Sequence, residues 1–529
     1  MESDKARALS IVRNAELVHP GLPLIEAFLS DAIDGEQAAR YLLQTYVDDR
    51  SNVNFVKFLK DWKDLLRLFY VESSHSRNLS WALKRRVAKR DNYRCCLTGV
   101  RCRFWSNWNV FPIVPPTALC MKEQRLFDVL GAFTTSFHQD LLKDKTLENQ
   151  IRNHWILSED AAMPLSRGVI RLKKLEGANY SILYNNIGGN VPAMYTYSQQ
   201  VKWKCDLVDH SNSGIESPDP YLLDIQSRLS KALKWAEIDT KINGRTSLRR
   251  SQNTSSSAFR ESITTTFLVM WSKFPEFVRF KTYRVLRTVG SYLYGSTTRG
   301  VQRLPFGMYF KYGPEYDADN HAREFSALKI VRSRTSIPVP NPIDLLVSPT
   351  ESFLVMSRIE GVPAGHAIDE CSDEEVHQMA QDLRSYIAEL HTIEQNKDSK
   401  YTITNATGGP CLDYRIDSEP VGPFPTEKEF SESLQLGILP GLMHRTDHKI
   451  FFTHADLNMR NILVKDGKIS GIVDWENSGW YPEYWEYIKC RFSVKIHKRW
   501  VKMIDETFEN KYEEELAIDR QYWDYQSAW

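Results

Sequence analysis

The stretch from residue 450 to residue 490 constrains the fold of this 529-residue chain more than any other part of its sequence. Two runs typical of β-strands, ILVK and KISGIV, are separated only by Asp466-Gly467. A two-residue hairpin turn of type I′ requires a positive φ angle at both positions, and Asp-Gly meets that requirement. The dipeptide therefore predicts a tight β-hairpin at this point of the chain.

The predicted hairpin brings two polar side chains to its open end. With a regular two-residue turn, Leu463 lies opposite Ser470 and Asn461 opposite Ile472. Asp474 follows Ile472 by two residues and so points to the same face. Diagonal neighbours on one face are about 7–8 Å apart, so an amide and a carboxylate meet there. Their oxygen atoms suit a hard cation such as Mg²⁺.

A further carboxylate, Asp456, follows the apolar run IFFTH and precedes Asn461 by five residues. The spacing His454-x-Asp456-x4-Asn461 thus adds one acid to the amide and carboxylate of the hairpin. Phosphoryl transfer uses such a set, because one group accepts a hydroxyl proton while a metal neutralises the phosphate charge. The pattern favours this chemistry over the alternative, a surface hairpin with ordinary polar ends.

The same segment resembles the catalytic loop of the aminoglycoside phosphotransferase and choline kinase-like family, which shares the protein-kinase fold. It resembles in particular the fungal members, whose usual run is close to FTHGDLxPRNILVxDGKIxGIIDWExAGWYPEYWEY. Ala455 stands here where glycine is frequent. The resemblance covers roughly residues 280 to 490. It implies a bilobal α+β fold, ATP and Mg²⁺ as cofactors, and a small-molecule hydroxyl as the phosphoryl acceptor.

The resemblance also implies roles for the polar residues of the segment. Asp456 is expected to be the catalytic base, and Asn461 and Asp474 are expected to be the magnesium ligands. His454 is expected to support the loop that carries the base. The rival hypothesis is a kinase-like binding or scaffold protein that holds nucleotide with little or no turnover.

Upstream segments fit the same resemblance. LPFGMYFKYG is typical of a strand and carries Lys311, while AREFSALKIV is typical of a helix and carries Glu324. The family's strand lysine contacts the phosphates of ATP and pairs with the helix glutamate. SFLVMSRIEG would be the hinge strand, where adenine bonds to the backbone near Met356 and Ile359.

The segment VGSYLYGSTTRGVQRLP, which precedes Lys311, is expected to hold the loop that covers the phosphates. It departs from the usual pattern because it contains no GxGxxG. The residues expected to replace that pattern are glycines and hydroxyl donors: Gly290, Gly295, Gly300, Ser296, Thr297 and Thr298.

Residues after Asp474 are candidates for binding the acceptor. In the resembling enzymes, acidic residues of the C-terminal lobe bind a cationic acceptor, and aromatic faces suit ammonium groups. The candidates here are Glu476, Glu483 and Glu486 with Trp480, Tyr481, Tyr484 and Trp485. For the aromatic residues, burial in the core is the alternative.

The N-terminal half is predicted to hold helices and a small mixed α/β module. Apolar spacing predicts helices over 1–78, and β-type runs such as GVIRLKKL place a second module at 79–237. A polar, Ser-rich stretch predicts a flexible linker over 238–262, followed by the kinase-like domain over 263–529.

RDNYRCCLTG in the second module resembles the opening of an HNH-nuclease-like module. Pro112, Ala162 and Ser166 stand where that resemblance places a histidine, a second histidine and an aspartate. Proline cannot replace an imidazole that activates water. The resemblance therefore implies a nuclease-like scaffold without its catalytic groups. Four cysteines near this text could bind zinc, although no CxxC spacing supports it: Cys95, Cys96, Cys102 and Cys120.

Charge and hydropathy limit the partners of the chain. The formal net charge is only +1, so any contact with nucleic acid needs a local patch. Lys84–Arg90 offers one, as a phosphate-binding stripe or a nuclear localisation signal, with a solvated helix face as the alternative. No apolar run is long enough for a membrane helix, and the charged start is unlike a signal peptide. An intracellular, cytoplasmic protein is expected, with the nucleus as the alternative.

Overall fold

The structure is a computed structural model. It describes residues 3–47, 53–70, 79–101, 109–185, 204–249, 271, 274–295, 300–396, 398–413, 419–435, 443–493 and 497–526. The chain divides into two compact units, residues 1–248 and 249–529, and each is described by itself.

The N-terminal unit begins with helices whose apolar faces share one core. The helices are α1 (Asp4–Asn14), α2 (Gly21–Asp31), α3 (Gly35–Thr45), α4 (Phe55–Leu68), α5 (Trp81–Arg90), α6 (Pro116–Leu119), α7 (Gln124–Phe133), α8 (Ser136–Lys143), α9 (Glu159–Ser166) and α10 (Pro220–Arg249). Phe28 of α2 packs edge-on against Phe58 and Trp62 of α4 and stacks on Phe133 of α7. The described part of residues 1–78 is mainly helical, and these helices share one core with the residues that follow.

Two small sheets complete the N-terminal unit. The first pairs β1 (Asn109–Pro112) with β2 (His154–Leu157), and the second contains β3 (Ile170–Lys174), β4 (Asn179–Tyr184) and β5 (Lys204–Asp206). All of these pairings are antiparallel. The described residues between 79 and 237 thus contain both helices and antiparallel strands.

The predicted start of the linker at residue 238 is wrong. Helix α10 continues to Arg249, and Ile238 and Ile242 are buried in the core of the unit. These two residues are four apart, so they extend the apolar face of the helix beyond the point where the polar composition begins. Residues 250–262, the rest of the predicted linker, lie outside the described residues.

The first part of the C-terminal unit is a four-stranded antiparallel sheet with two helices. Its elements are α11 (Glu276–Tyr294), β6 (Val301–Leu304), β7 (Met308–Gly313), α12 (Ala318–Arg334), β8 (Pro342–Val347) and β9 (Ser352–Ser357). The strand order is β6-β7-β9-β8, so β7 and β9 are central. Lys311 lies on β7 and Glu324 on α12, in the types of element predicted for them.

Gly290, predicted to lie in the phosphate-covering loop, is instead the close-packing residue of α11. A Cβ atom at this position would lie 2.2 Å from the carbonyl oxygen of Arg303 on β6. The glycine therefore lets the helix approach the strand. Gly295 and Gly300 both have positive φ angles, 75° and 83°. Ser296, Thr297 and Thr298 lie outside the described residues.

The second part of the C-terminal unit is mainly helical and holds two three-stranded sheets. Its elements are β10 (Val362–Pro363), α13 (Ala364–Ala367), α14 (Asp373–Leu390), β11 (Thr404–Asn405), α15 (Glu427–Gln435), β12 (Ile450–Thr453), β13 (Ile462–Lys465), β14 (Lys468–Ile472), β15 (Gly479–Pro482), α16 (Trp485–Ser493), α17 (Lys498–Phe508) and α18 (Glu513–Gln526). The sheets have the orders β10-β13-β14 and β11-β15-β12. Within the described part of the chain, no helix is both long enough and apolar enough to cross a bilayer.

The hairpin predicted at Asp466-Gly467 is confirmed, but its predicted register holds only next to the turn. Both turn residues have positive φ angles, 51° and 69°, and β13 pairs with β14 in the antiparallel sense. An irregularity after Leu463 then shifts the pairing by one, so Leu463 lies opposite Gly471 instead of Ser470. Asn461 accordingly accepts a backbone hydrogen bond from Val473, not from Ile472. A β-bulge of this kind inserts one extra residue on one strand.

A histidine with a buried side chain links two helices of the C-terminal unit. His448 Nδ1 lies 2.7 Å from Glu427 Oε1 of α15, and its Nε2 lies 3.1 Å from Glu515 Oε1 of α18. Burial lowers the pKa of His448, but the two carboxylates outweigh burial and raise the pKa above its usual value. The charged imidazole therefore stabilises the folded state.

The stabilisation by His448 should depend on pH. Because the folded pKa is raised, the stabilisation is complete below the unfolded value of about 6.5 and is lost as pH rises through the folded value. We expect His448→Gln to cost about 1.5–3 kcal/mol at pH 6, the usual worth of charged hydrogen bonds. The difference in melting temperature between variant and parent should shrink toward pH 9. His377→Gln, at a more exposed ion pair, is the matched control. A difference independent of pH would contradict the charged bridge.

Candidate active site

A cavity of about 1000 Å³ lies in the C-terminal unit, where the four-stranded sheet faces the loops of the second part. Its walls come from β7, α12, the end of β9 and the segments around the β13–β14 hairpin. All seven residues predicted for the site line it: Lys311, Glu324, Met356, Ile359, Asp456, Asn461 and Asp474. The structure thus brings them together, and their roles stay predictions.

Lys311 is the centre of a charged cluster on one wall of the cavity. Its Nζ atom lies 2.6 Å from Glu324 Oε2, 2.5 Å from Asp474 Oδ1 and 3.6 Å from Glu476 Oε2. Burial opposes the charged form, but the three carboxylates prevail and raise the pKa of Lys311. The ammonium group is therefore charged and held in one position on the cavity wall.

Glu324 ties α12 to the loop that follows the hairpin. Its side chain is fully buried, and its Oε1 atom accepts a hydrogen bond of 3.4 Å from the backbone N–H of Trp475. Burial raises the pKa of Glu324 to about 7, against the opposing effect of Lys311. The carboxylate thus links the helix, the strand lysine and the Asp474 loop.

Asp474 leaves the hairpin with a left-handed backbone, at a φ angle of 70°. Burial opposes its ionisation, but the Lys311 ammonium lowers the pKa of Asp474 overall. Glu476 follows on the same loop, and burial raises its pKa. Oxygen atoms of Glu324, Asp474 and Glu476 all lie within 4.8 Å of one another, which is a suitable set for a hard cation.

The loop after β12 holds Asp456 and Asn461 against each other. Asn461 Nδ2 donates to the Asp456 backbone oxygen at 2.8 Å and to Asp456 Oδ2 at 2.9 Å. These bonds fix the amide plane and leave the Asn461 Oδ1 atom to act as a ligand. His454 braces the same loop: its Nδ1 accepts from the Asp456 N–H at 3.2 Å and its Nε2 lies 3.1 Å from the Val473 oxygen.

Glu486, predicted as a candidate for acceptor binding, lies underneath this loop instead. It is buried on α16, and its Oε2 atom accepts from the backbone N–H groups of His454 at 2.7 Å and Ala455 at 3.4 Å. Burial raises the pKa of Glu486 to about 7. Ala455 has a positive φ angle of 63°, which explains why glycine suits this position. Glu486 therefore positions the loop and contributes nothing to the cavity wall.

The other acceptor candidates also lie elsewhere, apart from Glu476. Glu483 accepts hydrogen bonds from Lys511 at 3.2 Å and Tyr512 at 3.1 Å, away from the cavity. The four aromatic candidates belong to the hydrophobic core, as the alternative held: Trp480, Tyr481, Tyr484 and Trp485. A core position and a binding position produce the same aromatic-rich text, so the sequence alone does not separate them.

Several residues line the cavity without having been predicted. Arg460 lies within the loop motif itself, between Asp456 and Asn461. Its position in that motif could have identified it as a residue of the site. Lys489 lies on α16, where its Nζ donates to Asp413 Oδ1 at 2.7 Å in a buried ion pair. Asn477 and Phe492 complete this side. The spacing of Lys489, Asn477 and Phe492 in the sequence does not indicate that they line the cavity.

In the N-terminal unit, the three positions of the nuclease resemblance do converge. Pro112, Ala162 and Ser166 line one small cavity of about 20 Å³, among mostly apolar neighbours. A space of this size holds at most about one water molecule. Among the described residues, the group placed to share a metal ion is the carboxylate cluster of the other unit, and none of the cysteines belongs to it. Cys102 lies outside the described residues.

The part of the chain that holds this cavity is similar to known proteins. Residues 280–524 match the family described as the phosphotransferase enzyme family, APH. An aminoglycoside 3'-phosphotransferase of Enterococcus faecalis is 27% identical over 171 residues, which is 30% of this chain and 60% of that protein. Its counterpart in Staphylococcus aureus is 26% identical over the same shares. The chain thus spans 60% of the length of these relatives.

Solved structures give a weaker likeness. The aminoglycoside phosphotransferase APH(4)-Ia aligns at a TM-score of 0.30 and 13% identity, over 41% of this chain and 74% of that one. APH(3'')-Id of Streptomyces rimosus aligns at a TM-score of 0.29 and 18% identity, over 41% and 86%. The finding with most weight is therefore the match of residues 280–524 to the phosphotransferase enzyme family.

Proposed function

We propose that this protein is an ATP- and Mg²⁺-dependent phosphotransferase that moves the γ-phosphoryl group of ATP to a hydroxyl of a small molecule. One observation carries the proposal. A single cavity gathers a charged lysine held by buried carboxylates and a loop carboxylate oriented by an asparagine amide. The family domain over the same residues supports it.

The nucleotide would lie against the sheet. Met356 and Ile359 line the cavity at the end of β9, where the adenine would bind. The N–H groups of Ser357 and Arg358 already donate to Asn341 and Gly307. A backbone N–H that donates to adenine would therefore come from Ile359 or a residue after it. From that edge, the phosphates extend toward Lys311, whose fixed ammonium neutralises their charge.

Asp456 would accept the proton of the acceptor hydroxyl. The hydroxyl oxygen attacks the γ-phosphorus at the same time, and ADP leaves. Asn461 holds the Asp456 carboxylate through one oxygen, Oδ2, so the other oxygen is available to the hydroxyl. His454 and Glu486 fix the backbone that carries Asp456. A positioned general base of this type contributes about 10²–10⁴-fold to the rate.

The residues present fit a magnesium ion. Asn461 Oδ1 and the carboxylate of Asp474 are hard oxygen ligands on the same cavity, and Glu476 adds a third. Mg²⁺ binds proteins through one or two carboxylates together with substrate phosphates. When bound, the ion neutralises charge on the phosphates during transfer. One carboxylate oxygen of Asp474 would then bind the ion while the other contacts Lys311.

The acceptor is a small molecule with a hydroxyl group. The relatives of known name act on aminoglycosides, but the acidic and aromatic candidates for binding such cations here, Glu476 apart, lie outside the cavity. Arg460 and Lys489 line it alongside Asp456 and Glu476, so both signs of charge are present. The proposed acceptor is therefore defined by its hydroxyl group alone.

We also propose that residues 79–237 keep a nuclease-like scaffold without nuclease activity. Pro112, Ala162 and Ser166 line one small cavity, which supports a common origin of this scaffold and the nuclease-like modules that it resembles. Their side chains include neither an imidazole nor a carboxylate, so they offer no base to activate water.

Ligand-dependent melting of the full chain tests nucleotide binding. We expect saturable stabilisation by ATP that requires Mg²⁺, because a ligand at 100 times its Kd stabilises by about 2.7 kcal/mol. For a unit of this size that corresponds to roughly 5–10 °C. Turnover is then sought by incubating the protein with ATP and a metabolite library and detecting phosphorylated products by mass spectrometry.

The two parts of the experiment separate the competing functions. Magnesium-dependent stabilisation with a phosphorylated product supports the phosphotransferase. Stabilisation with no ATP turnover across a broad panel of hydroxyl compounds supports a kinase-like scaffold instead. Absence of any nucleotide effect would overturn both readings of the cavity.

A further inference from the structure

The N-terminal unit carries an exposed surface that the proposed phosphotransfer does not use. We call it the basic-aromatic surface, and it is formed by Trp81, Lys84, Arg85, Arg86, Lys89, Tyr93, Arg94 and Arg101. Helix α5 buries Leu83, Val87 and Ala88 on one side. Its opposite side exposes Trp81, Arg85 and their basic neighbours to solvent. The run therefore has an apolar face that packs into the fold and a basic face that is largely exposed to solvent.

The surface keeps nearly all of its positive charge. Between residues 81 and 101 the only acidic residue is Asp91. It is buried with Arg90, which donates to it through Nε at 2.7 Å and Nη2 at 3.1 Å. Arg90 is fully buried and also donates to the backbone oxygen of Ile151. This buried pair neutralises itself, so the remaining formal charge of residues 81–101 comes from the six other basic residues.

Other arginines of the same unit behave differently. Eight of them form ion pairs with carboxylates. In the part of the chain that the structure describes, none of the six basic residues of the basic-aromatic surface forms one. The unit thus pairs many of its other arginines with carboxylates, whereas the cations of the basic-aromatic surface have no such partner among the described residues. That surface is therefore suited to binding an external anion.

Two of the arginines are held directly across from each other. Arg94 and Arg101 form an isolated antiparallel bridge, and Arg94 Nη1 donates to the backbone oxygen of Gly99 at 3.1 Å. Like charges directly opposite in an antiparallel pair destabilise it. The bridge therefore places two arginines at opposite positions of one pair, and a polyanion bound there would reduce the repulsion expected between them.

The aromatic rings of the surface point to the kind of polyanion. Trp81 is 71% exposed and Tyr93 is 45% exposed, which is unusual for side chains of this size. The Arg85 guanidinium lies 5.2 Å from the centre of the Trp81 ring, so a cation and a flat ring are presented together. Exposed rings beside cations are the pattern of surfaces that stack bases and bind the backbone of single strands.

We propose that the basic-aromatic surface binds single-stranded nucleic acid. The cations contact the phosphates, and Trp81 and Tyr93 stack on unpaired bases. A duplex hides the faces of its bases, so it would use the cations and leave the two rings without a stacking partner. This binding is independent of the cavity in the C-terminal unit and needs no nucleotide or metal there.

Fluorescence anisotropy with labelled oligo-dT and oligo-U of about 20 nucleotides tests the proposal on the full chain. We expect binding at about 50 mM salt that weakens linearly on a log–log plot, with a slope of roughly −3 to −4 for four to six phosphate contacts. Arg85→Glu with Lys89→Glu should weaken binding at least about 10-fold. Trp81→Ala should weaken it by about 5- to 100-fold, the range for loss of a stacked base.

Arg13→Glu with Arg67→Glu reverses two paired arginines of the same unit and should change affinity less than about twofold, as expected for cations outside the contact. Circular dichroism shows whether each variant stays folded. Equal or tighter binding of duplex DNA would overturn the stacking role of Trp81. Three results would overturn the proposal itself. They are absence of binding to both oligonucleotides, binding that the charge reversals leave unchanged, and binding to phosphatidylserine vesicles alone.

Discussion

Replacing Asp456 by asparagine should lower turnover by about 10²–10⁴-fold, because the amide cannot accept the proton of the acceptor hydroxyl. The change keeps the shape of the side chain, and the amide can still accept the hydrogen bond from Asn461 through its Oδ1 atom. We therefore expect nucleotide affinity and melting temperature to stay close to those of the parent. Initial rates with an identified acceptor, together with the magnesium-dependent thermal shift, measure the two effects separately.

Asp466→Asn provides a matched control for this variant. Asp466 is a turn residue of the neighbouring hairpin, outside the cavity, and asparagine tolerates its positive φ angle. Its turnover should equal that of the parent within about twofold, since surface substitutions of this type change little. An Asp456→Asn variant that phosphorylates the acceptor as fast as the parent would show that another group is the base.

Local sequence chemistry was enough to predict the elements that carry the site. The Asp466-Gly467 turn is specified by two residues, and the run AREFSALKIV is typical of the helix that carries Glu324. The register beyond the turn was not predictable in this way. The N–H of Ile472 donates to the backbone oxygen of Pro338 at 2.9 Å, and a bulge interrupts the hairpin nearby. A segment more than a hundred residues away therefore takes part in setting the geometry at Asp474.

Burial was the other property that the sequence did not reveal. Glu476 and Glu486 are ten residues apart in one polar and aromatic stretch, yet one lines the cavity and the other lies under the loop. Which carboxylate reaches the cavity depends on how β15 and α16 pack, and that packing is a tertiary effect. For the same reason the sequence suggested Asn461 and Asp474 as a pair but missed that Glu324 and Glu476 also lie within 4.8 Å of Asp474.

Replacing Lys311 by methionine should abolish most phosphotransfer and also destabilise the C-terminal unit. The variant loses the cation that contacts the phosphates, so we expect kcat/KM for ATP to fall by at least about 10²-fold. It also leaves Glu324, Asp474 and Glu476 together without their counter-ion. Removing one partner of a buried ion pair costs about 3–5 kcal/mol.

The stability loss of Lys311→Met should depend on pH with a definite sign. Burial already raises the pKa of Glu324 to about 7 with Lys311 present, and loss of the ammonium raises it further. A carboxyl with a raised folded pKa destabilises the fold as pH rises above its unfolded value of about 4.3. The melting temperature of the variant should therefore lie closer to that of the parent at pH 6 than at pH 8. Melting curves across this range measure the effect.

Two further variants distinguish the charge argument from simple loss of packing at Lys311. Adding Glu324→Gln to Lys311→Met removes one of the unpaired carboxylates, so it should restore part of the stability at pH 8 without restoring activity. Lys329→Met, on the exposed side of α12, changes the same residue type and should leave both properties within error of the parent. A Lys311→Met protein whose melting temperature falls equally at pH 6 and pH 8 has lost packing alone. One that keeps its activity would show that the phosphates bind elsewhere.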